Sequence, residues 1–254
     1  MILTTGVGSG LGQYLHEKFG GRGLTRSNRS RIILELRRTG LDTIIHCAAN
    51  GSRGITHEKL PSYLDDNLFL TQELLTIPHR RFIFFSTIDL YPKNGLTHHE
   101  DEVIDAAQIQ GIYAVAKFAS EASIRRSAKD FLILRPTTMI GPYARPNGPL
   151  RILRDQEKAL TLSAESSFNC IHYEQIAFFL HDALEKNISG IYNLASSRSL
   201  TLREIVSLAG RAIEFGAHRY EVGNIDTHKV NSFVDCFHRT TRDVLLAFMK
   251  DRAV

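Results

Sequence analysis

Tyr113 and Lys117 are the residues whose types and spacing best suit proton transfer. They stand four apart in a stretch after Gly111 that is predicted to be helical, so both side chains would share one face, about one turn apart. A phenol with its ordinary pKa of about 10 is a poor proton carrier at neutral pH, and a neighbouring ammonium group lowers that pKa. The pair therefore predicts a general acid/base. The alternative is that the Tyr-x-x-x-Lys spacing arises by chance, and the other motifs of the chain decide between the two interpretations.

A glycine-rich turn, Gly6-Val7-Gly8-Ser9-Gly10-Leu11-Gly12, lies between a predicted strand over residues 1–5 and a predicted helix over residues 13–19. Strand, glycine turn and helix together aim free backbone N–H groups at a phosphate. We expect the cofactor contacts at Gly6, Gly8, Ser9, Gly10 and Leu11, with the phosphates on the N–H groups from Gly8 to Leu11. Neither common glycine spacing fits without exception, since Leu11 replaces the last glycine of G-x-G-x-x-G and Ser9 the middle glycine of T-G-x-x-G-x-x-G. A flexible loop is the alternative.

Arg26 follows the predicted second strand, about 20 residues after the first glycine. An acidic residue there would bind the ribose 2′-hydroxyl of NAD, whereas an arginine accommodates the 2′-phosphate of NADP. The stretch holds Arg26 and Arg29 but no acid, so we expect NADP(H), with NAD(H) as the second possibility. A solvated basic loop is the alternative.

Two further apolar runs, 41–50 and 81–92, are predicted to be parallel strands covered on both faces. The first ends in small residues that leave room for a ligand, and the second ends in hydroxyl side chains that can bind a substrate oxygen. His46, inside the first run, is predicted to be a hydrogen-bonded core residue. The cluster His98-His99-Glu100-Asp101 lacks metal-ligand spacing, so no metal site is predicted.

The composition limits the class of protein. The 254 residues are 43% hydrophobic and 23% charged, with a formal net charge of +4 and no long run of like charge. These values favour a globular protein with a mild attraction for small anions and predict neither nucleic-acid binding nor a membrane span. Three scattered cysteines, and a turn already at residue 6 that argues against a signal peptide, lead us to expect a reduced, cytoplasmic protein.

The motifs, taken in order, resemble the extended short-chain dehydrogenase/reductase family of NAD(P)-dependent nucleotide-sugar epimerases, dehydratases and 4-ketoreductases. The likeness extends over nearly the whole chain and includes the Tyr-x-x-x-Lys pair. The matching segments are the turn from Thr5 to Gly12, residues 42–49 (D-x-V-I-H-x-A-A in the family), 85–91 (S-S-x-x-x-V-Y), 113–117, 134–142 (L-R-P-x-N-V-Y-G-P), 171–177, and 190–205.

The resemblance implies an α/β fold, a Rossmann-type doubly wound parallel sheet with a small C-terminal substrate-binding part. It implies a dinucleotide-binding domain over residues 1–143, with returns from about 170–195, and a partly interleaved substrate-binding part over 144–254. It also implies a small-molecule nucleotide-sugar substrate and a homodimer formed through the Tyr113 helix, where Ala116, Ala119 and Ala122 would allow close approach.

The resemblance assigns roles residue by residue. Tyr113 would carry the proton, Lys117 would lower its pKa and hold the nicotinamide ribose, and Thr87, four before Tyr91, would polarise the substrate oxygen. Further cofactor contacts are implied at Cys47, Ala48, Ala49 and Pro136, and substrate contacts at Asn50, Thr87, Thr138, Arg151, Asn169 and Arg239. The family's acidic strand end, which usually holds adenine, has no counterpart between Arg26 and Asp42.

Three functions are compatible with these features. The first is an NADPH-dependent reductase of a 4-keto sugar nucleotide, which rests on Arg26. The second is an NAD-retaining epimerase of the same family. The third is a cofactor-binding sensor or scaffold without chemistry, which the presence of Thr87, Tyr113 and Lys117 together disfavours.

Overall fold

The chain folds around a sheet of six parallel strands. A computed structural model describes residues 1–52, 54–154 and 158–252. Short two-stranded pairings accompany the main sheet. In chain order the strands are β1 (Ile2–Thr5), β2 (Arg22–Leu24), β3 (Leu41–His46), β4 (His79–Phe85), β5 (Thr97–His98), β6 (Phe131–Pro136), β7 (Thr138–Ile140), β8 (Ser167–Phe168), β9 (Cys170–His172), β10 (Gly190–Leu194), β11 (Leu200–Thr201) and β12 (Asn224–Ile225).

The strand order β10-β6-β4-β3-β1-β2 confirms the predicted Rossmann-type sheet. The chain runs from β1 to β2 on one side and then crosses back to place β3 on the other side of β1. Open α/β sheets bind ligands outside the carboxyl ends of their strands at such a switch point. The glycine turn follows β1 and the small residues after His46 follow β3, so both lie at this edge.

Helices cover both faces of the sheet. A π-turn, Asp65–Phe69, joins two short helices into one helical segment over residues 60–75. Among the described residues no helix is both long and apolar enough to cross a membrane. The helices are α1 (Gly10–Phe19), α2 (Arg29–Thr39), α3 (Leu60–Leu64), α4 (Leu70–Leu75), α5 (Ile112–Ser127), α6 (Gly148–Leu153), α7 (Tyr173–Glu185), α8 (Leu202–Leu208), α9 (His228–Asn231) and α10 (Thr241–Arg252).

Two hydrophobic cores form because successive strand side chains point to opposite faces. On one face, Phe82 and Phe84 of β4 pack with apolar residues of α2, α4 and α5. On the other, Ile83 and Phe85 pack with α1, α7 and residues of the C-terminal helices. Consecutive apolar residues in the strands, such as Phe82 to Phe85 in β4, therefore serve both faces, which is the continuous pattern predicted from the sequence.

The C-terminal part packs on the sheet rather than forming a separate core. β10 pairs with β6 at the sheet edge, and α8 and α10 contribute to the same cluster as α1 and α7. The proposed division at residue 143 stays a prediction.

Candidate active site

Helix α5 brings Tyr113 and Lys117 together. Gly111 precedes it with a φ of 83°, a backbone conformation that favours glycine. The Lys117 amine lies 5.7 Å from the centroid of the Tyr113 ring. It donates a hydrogen bond of 2.6 Å to the carbonyl oxygen of Phe85, the last residue of β4, and its side chain is only 2% exposed. The strand end thus fixes the lysine against the tyrosine.

The electrostatics of the pair differ from the sequence expectation. Burial lowers the pKa of Lys117 to about 8. The pKa of Tyr113 is raised above its ordinary value, first by burial and then by the nearby negative charge of Asp89. The predicted lowering of the Tyr113 pKa is therefore wrong for this arrangement, because loss of solvent around the phenol and the charge of Asp89 both raise that pKa.

Thr87 lies at the end of β4 and is 6% exposed. Its hydroxyl donates to Asp89 Oδ2 at 3.3 Å and accepts from the Asp89 backbone N–H at 3.1 Å, which caps the short 3₁₀ turn Ile88–Leu90. Asp89 also accepts from Lys93 Nζ at 3.1 Å. Asp89 thereby links the Thr87 hydroxyl to the surroundings of Tyr113.

A cavity of about 540 Å³ opens beside Tyr113, and we call it the Tyr113 cavity. It combines α5, the segment after β4, the loop before α5 and a segment of the C-terminal part. Of its lining residues, only Tyr113 and Tyr91 were named from the sequence. Asp89 and Ala114 fall within the matching segments 85–91 and 113–117, and the rest lie in segments that match no family motif. The lining residues are Asp89, Tyr91, Lys93, Gln108, Gln110, Tyr113, Ala114, His218, Arg219, Tyr220 and Glu221.

A buried ion pair anchors α5 to the sheet. Arg135 of β6 donates to both carboxylate oxygens of Glu121 of α5, at 3.0 and 2.7 Å, and both residues are 2% exposed. Arg135 also donates to the Tyr91 hydroxyl at 2.8 Å, and that hydroxyl donates to Asn193 Oδ1 of β10 at 2.9 Å. Strands β6 and β10, the segment after β4 and the Tyr113 helix thus share one network.

A second cavity, of about 510 Å³, lies over the glycine turn, and we call it the glycine-turn cavity. Seven residues predicted for the site line it: Gly6, Gly8, Ser9, Arg26, Ala48, Ala49 and Asn50. Asn50 was expected to contact substrate, but it lies here instead. Seven more residues line the cavity that were not predicted for the site, although Arg29 was noted as a nearby base: Leu24, Thr25, Arg29, Ser52, Asp66, Leu70 and Arg145.

Close approach explains two glycines of the turn. Gly6 has a φ of 73°, and a Cβ there would lie 3.0 Å from the Ala48 backbone. A Cβ on Gly12 would lie 2.5 Å from the Gly6 carbonyl oxygen, so helix α1 could not pack on β1. Ser9 at the middle position has an extended backbone, which any residue adopts. The departure from the family pattern therefore introduces no strain.

The four N–H groups predicted to hold phosphates are not equivalent. The Gly10 N–H donates to the Tyr143 carbonyl oxygen at 2.9 Å, and the Leu11 N–H contacts the Tyr173 hydroxyl. Gly8 and Ser9 line the cavity, and within the described ranges their N–H groups have no assigned hydrogen bond. In this arrangement only the first two of the four are free for a phosphate.

Arg145 is a cation at the turn that the sequence analysis missed. Its guanidinium donates to the Ser9 hydroxyl at 3.3 Å and to the Ala49 carbonyl oxygen at 3.2 Å, and so bridges the two walls of the glycine-turn cavity. The side chain is exposed and lies within reach of a ligand phosphate. No motif marks Arg145, because the loop after Pro142 is placed here by the tertiary fold.

Thr5 joins the ends of β1 and β3. Its hydroxyl accepts from the backbone N–H groups of Cys47 and Ala48 and contacts His46 Nδ1 at 2.8 Å. His46 Nε2 contacts Thr71, and burial holds the pKa of His46 well below its ordinary value, so this histidine is a neutral core residue as expected. Burial raises the pKa of the Cys47 thiol.

Several predicted site residues lie in neither cavity. Asn169 uses its amide on Thr137, Ser196 and Ser199, which makes it a structural residue here. Thr138 lies in β7 beside β9, and Pro136 ends β6 against Leu194. Arg239 is exposed after a 3₁₀ turn, and Arg151 lies in α6. Their roles in substrate or cofactor binding stay predictions.

Comparisons with known proteins agree with this architecture. Residues 11–195 match the model of the NAD dependent epimerase/dehydratase family. No curated protein sequence matches the chain significantly. Among solved structures, MoeE5 in complex with UDP-glucose and NAD has a TM-score of 0.80 at 19% identity, with 99% of each chain covered.

Two further structures show the same fold. UDP-glucuronic acid 4-epimerase from Bacillus cereus, in complex with UDP-glucuronic acid and NAD, has a TM-score of 0.77 at 20% identity and covers 100% of this chain and 99% of its own. dTDP-4-dehydrorhamnose reductase from Yersinia enterocolitica has a TM-score of 0.78 at 17% identity, with 98% of each chain covered. With the family model matching most of its length, the chain belongs to the NAD-dependent epimerase/dehydratase family, among the extended short-chain dehydrogenases/reductases that its motifs resemble.

Proposed function

We propose that this protein is an NAD(P)-dependent oxidoreductase that acts on a nucleotide-linked 4-keto sugar. The observation that carries the proposal is the placement of Tyr113 and Lys117. They lie side by side on α5, at the edge of the sheet where the glycine-turn cavity and the Tyr113 cavity both open. A proton carrier at the mouth of a parallel sheet, near a cradle for phosphates, suits hydride transfer coupled to proton transfer.

The residues at the glycine turn fit a dinucleotide. Gly6 and Ala48 lie so close together that a side chain at position 6 would crowd the Ala48 backbone at the wall of the cavity. Arg145 supplies a positive charge beside Ser9. The free N–H groups of Gly8 and Ser9 and the Arg145 guanidinium would hold the two phosphates. When bound, the nicotinamide ring supplies or accepts the hydride.

The chain's own groups handle the proton. The Tyr113 hydroxyl is protonated at neutral pH, which is the form of a phenol that donates to a carbonyl oxygen. Its raised pKa makes it a weaker acid, and the positive charge of Lys117 would have to offset that effect during the transfer. Thr87 would bind the same oxygen once its hydroxyl turns from Asp89. Lys117 holds α5 to the Phe85 carbonyl and places a positive charge near the phenolate that remains after proton donation.

The substrate proposal combines the cavity with the related folds. Hydrogen-bonding side chains such as Gln108, Gln110 and His218 surround the Tyr113 cavity, which suits a sugar with several hydroxyls. MoeE5 and the Bacillus cereus epimerase are each described with a UDP-linked sugar bound. A nucleotide-linked sugar is therefore the substrate class that we propose.

Epimerisation with retained cofactor is the second candidate, because the fold also matches a UDP-glucuronic acid 4-epimerase. One experiment separates the two. Purified protein is mixed with NADH or NADPH and a panel of UDP- and dTDP-linked 4-keto sugars, and absorbance at 340 nm is followed. A parallel panel of UDP-hexoses with NAD⁺ is analysed by NMR for epimers. Loss of absorbance with a 4-keto sugar supports the reductase, and epimers without net cofactor consumption support the second candidate. Neither signal across both panels would refute the proposed activity.

We also propose a homodimer through α5. Val115 and Ala122 of α5 are exposed, as is Phe69 at the end of the adjoining π-turn, and together they offer a surface of apolar side chains. Ala116, which the sequence analysis placed on this surface, is 2% exposed within the single chain and cannot contact a partner there. Light scattering at micromolar concentration that gives the mass of one chain would refute the dimer.

A further inference from the structure

The corner of the glycine-turn cavity below β2 holds an acid that the sequence analysis did not find. Arg26 donates through Nε and a terminal nitrogen to both carboxylate oxygens of Asp66, at 3.1 and 2.5 Å. Asp66 comes from the π-turn between α3 and α4, 40 residues away along the chain. Both residues line the cavity. The arginine that led us to expect NADP(H) is therefore already paired with a carboxylate.

Asp66 is the fixed member of this pair. Its side chain is 17% exposed, against 80% for Arg26. Asp66 Oδ2 also accepts from Asn50 Nδ2 at 2.8 Å, and Asn50 is itself held by Asn67 through its backbone N–H and carbonyl oxygen. Arg26 can swing into solvent without breaking buried contacts, whereas Asp66 cannot leave the wall of the cavity.

The neighbouring cation is also neutralised. Arg29 donates to Asp65 at 2.5 Å and to Glu73 at 2.7 Å. Both acids belong to the same helical segment as Asp66. The acids of the 60–75 segment thus pair with both arginines that follow β2, so that within the described ranges neither Arg26 nor Arg29 offers an unpaired positive charge to a 2′-phosphate.

We propose that Asp66 selects NAD(H) over NADP(H) at this corner, a step that rests on the proposed function because it needs a dinucleotide in the glycine-turn cavity. The two oxygens of a fixed carboxylate accept hydrogen bonds from the vicinal hydroxyls of the adenosine ribose. A 2′-phosphate carries about −1.5 to −2 charges near pH 7 and accepts hydrogen bonds only, so it is repelled by the same carboxylate. The acid that other members of the family carry at the end of β2 is supplied here by a helix from across the cavity.

The test measures NADH and NADPH binding to the full chain by isothermal titration calorimetry. The wild type is compared with Asp66→Asn, Arg26→Ala and the control Asp65→Asn, which removes an acid that does not line the cavity. We expect the wild type to bind NADH about tenfold or more tightly than NADPH, and Asp66→Asn to lower this ratio by about tenfold or more, as loss of a charge-assisted hydrogen bond implies.

The two remaining variants separate Asp66 from its partner. Asp65→Asn should leave the ratio within about threefold of the wild type, since Glu73 still pairs with Arg29 and Asp65 does not line the cavity. Arg26→Ala should retain the preference for NADH, which also protects the test if Asp66→Asn fails to fold. Tighter binding of NADPH by the wild type, or an unchanged ratio in folded Asp66→Asn, would overturn the proposal but leave the proposed function intact. Failure of the wild type to bind either dinucleotide would overturn both.

Discussion

Replacement of Lys117 by methionine should change how the stability of the protein depends on pH. The Lys117 amine is buried, and its pKa falls from the ordinary value near 10.5 to about 8. Between pH 8 and 10.5 the unfolded chain holds a proton on this lysine that the folded chain has lost, so the free energy of unfolding rises with pH. Below pH 8 the penalty for the buried charge is fully present. Lys117→Met removes this titration.

The magnitude follows from the shift. A difference of about 2.5 pKa units corresponds to about 3.4 kcal/mol at low pH, at 1.36 kcal/mol per unit. Evaluated with the two pKa values, this penalty is still about 3.3 kcal/mol at pH 7 and falls to about 2 kcal/mol at pH 9. The wild type should therefore gain about 1.3 kcal/mol of stability relative to Lys117→Met between these pH values. The Phe85 carbonyl, which loses its donor in the variant, contributes equally at both pH values and cancels.

Urea unfolding at pH 7, 8 and 9, followed by circular dichroism, measures this difference. Lys59→Met is the control, because Lys59 is exposed and its replacement should leave the pH dependence parallel to that of the wild type. If Lys117→Met also gives a curve parallel to the wild type, the lysine is not titrating in this range. The conclusion that burial lowers the pKa of Lys117 would then be refuted.

Three further outcomes test the network, the turn and the acid beside Tyr113. Glu121→Gln should lower the free energy of unfolding by about 3–5 kcal/mol, because it leaves the buried Arg135 without its partner charge. The control Glu35→Gln, at a partly exposed pair with Arg22, should lower it by less than about 1 kcal/mol. Similar losses of stability in the two variants would contradict the reasoning. Arg145→Ala should weaken binding of ADP by about tenfold in calorimetry but leave the affinity for adenosine unchanged, since only ADP presents phosphates to the guanidinium. Equal effects on the affinities for both ligands would exclude a phosphate contact. Asp89→Asn should lower the pKa of Tyr113, because it removes a negative charge that raises this pKa. NMR of ¹³C-labelled tyrosine, with the Tyr113 signal assigned by means of Tyr113→Phe, should show the titration moved to lower pH. An unchanged titration would mean that burial alone sets this pKa.

Local patterns predicted the sheet well, because each strand and turn carries its own signal. The run 41–46 is apolar on both faces since helices cover both sides of β3, and Gly12 is required by contacts within the first strand–turn–helix unit. The same reasoning located Tyr113 and Lys117, whose proximity follows from helical spacing alone.

Contacts between distant segments were beyond sequence reasoning. Asp66 meets Arg26 only because the 60–75 segment crosses the cavity, and Arg145 reaches Ser9 from 136 residues away. The pKa of Tyr113 was predicted with the wrong sign, because the spacing to Lys117 is visible in the sequence whereas burial and the charge of Asp89 are not. Asn169 was expected to contact the substrate, yet its side-chain amide bonds to Thr137, Ser196 and Ser199 in the described structure.

The central claim is that the Tyr113 hydroxyl transfers the proton in a reaction on a nucleotide-linked sugar. The most direct measurement compares turnover of the active sugar nucleotide by the wild type and by Tyr113→Phe, with dinucleotide affinity determined for both. The account predicts a loss of turnover of about 10²–10⁴-fold with unchanged dinucleotide affinity, the usual range for removal of a general acid. Turnover of Tyr113→Phe at the wild-type rate would contradict it.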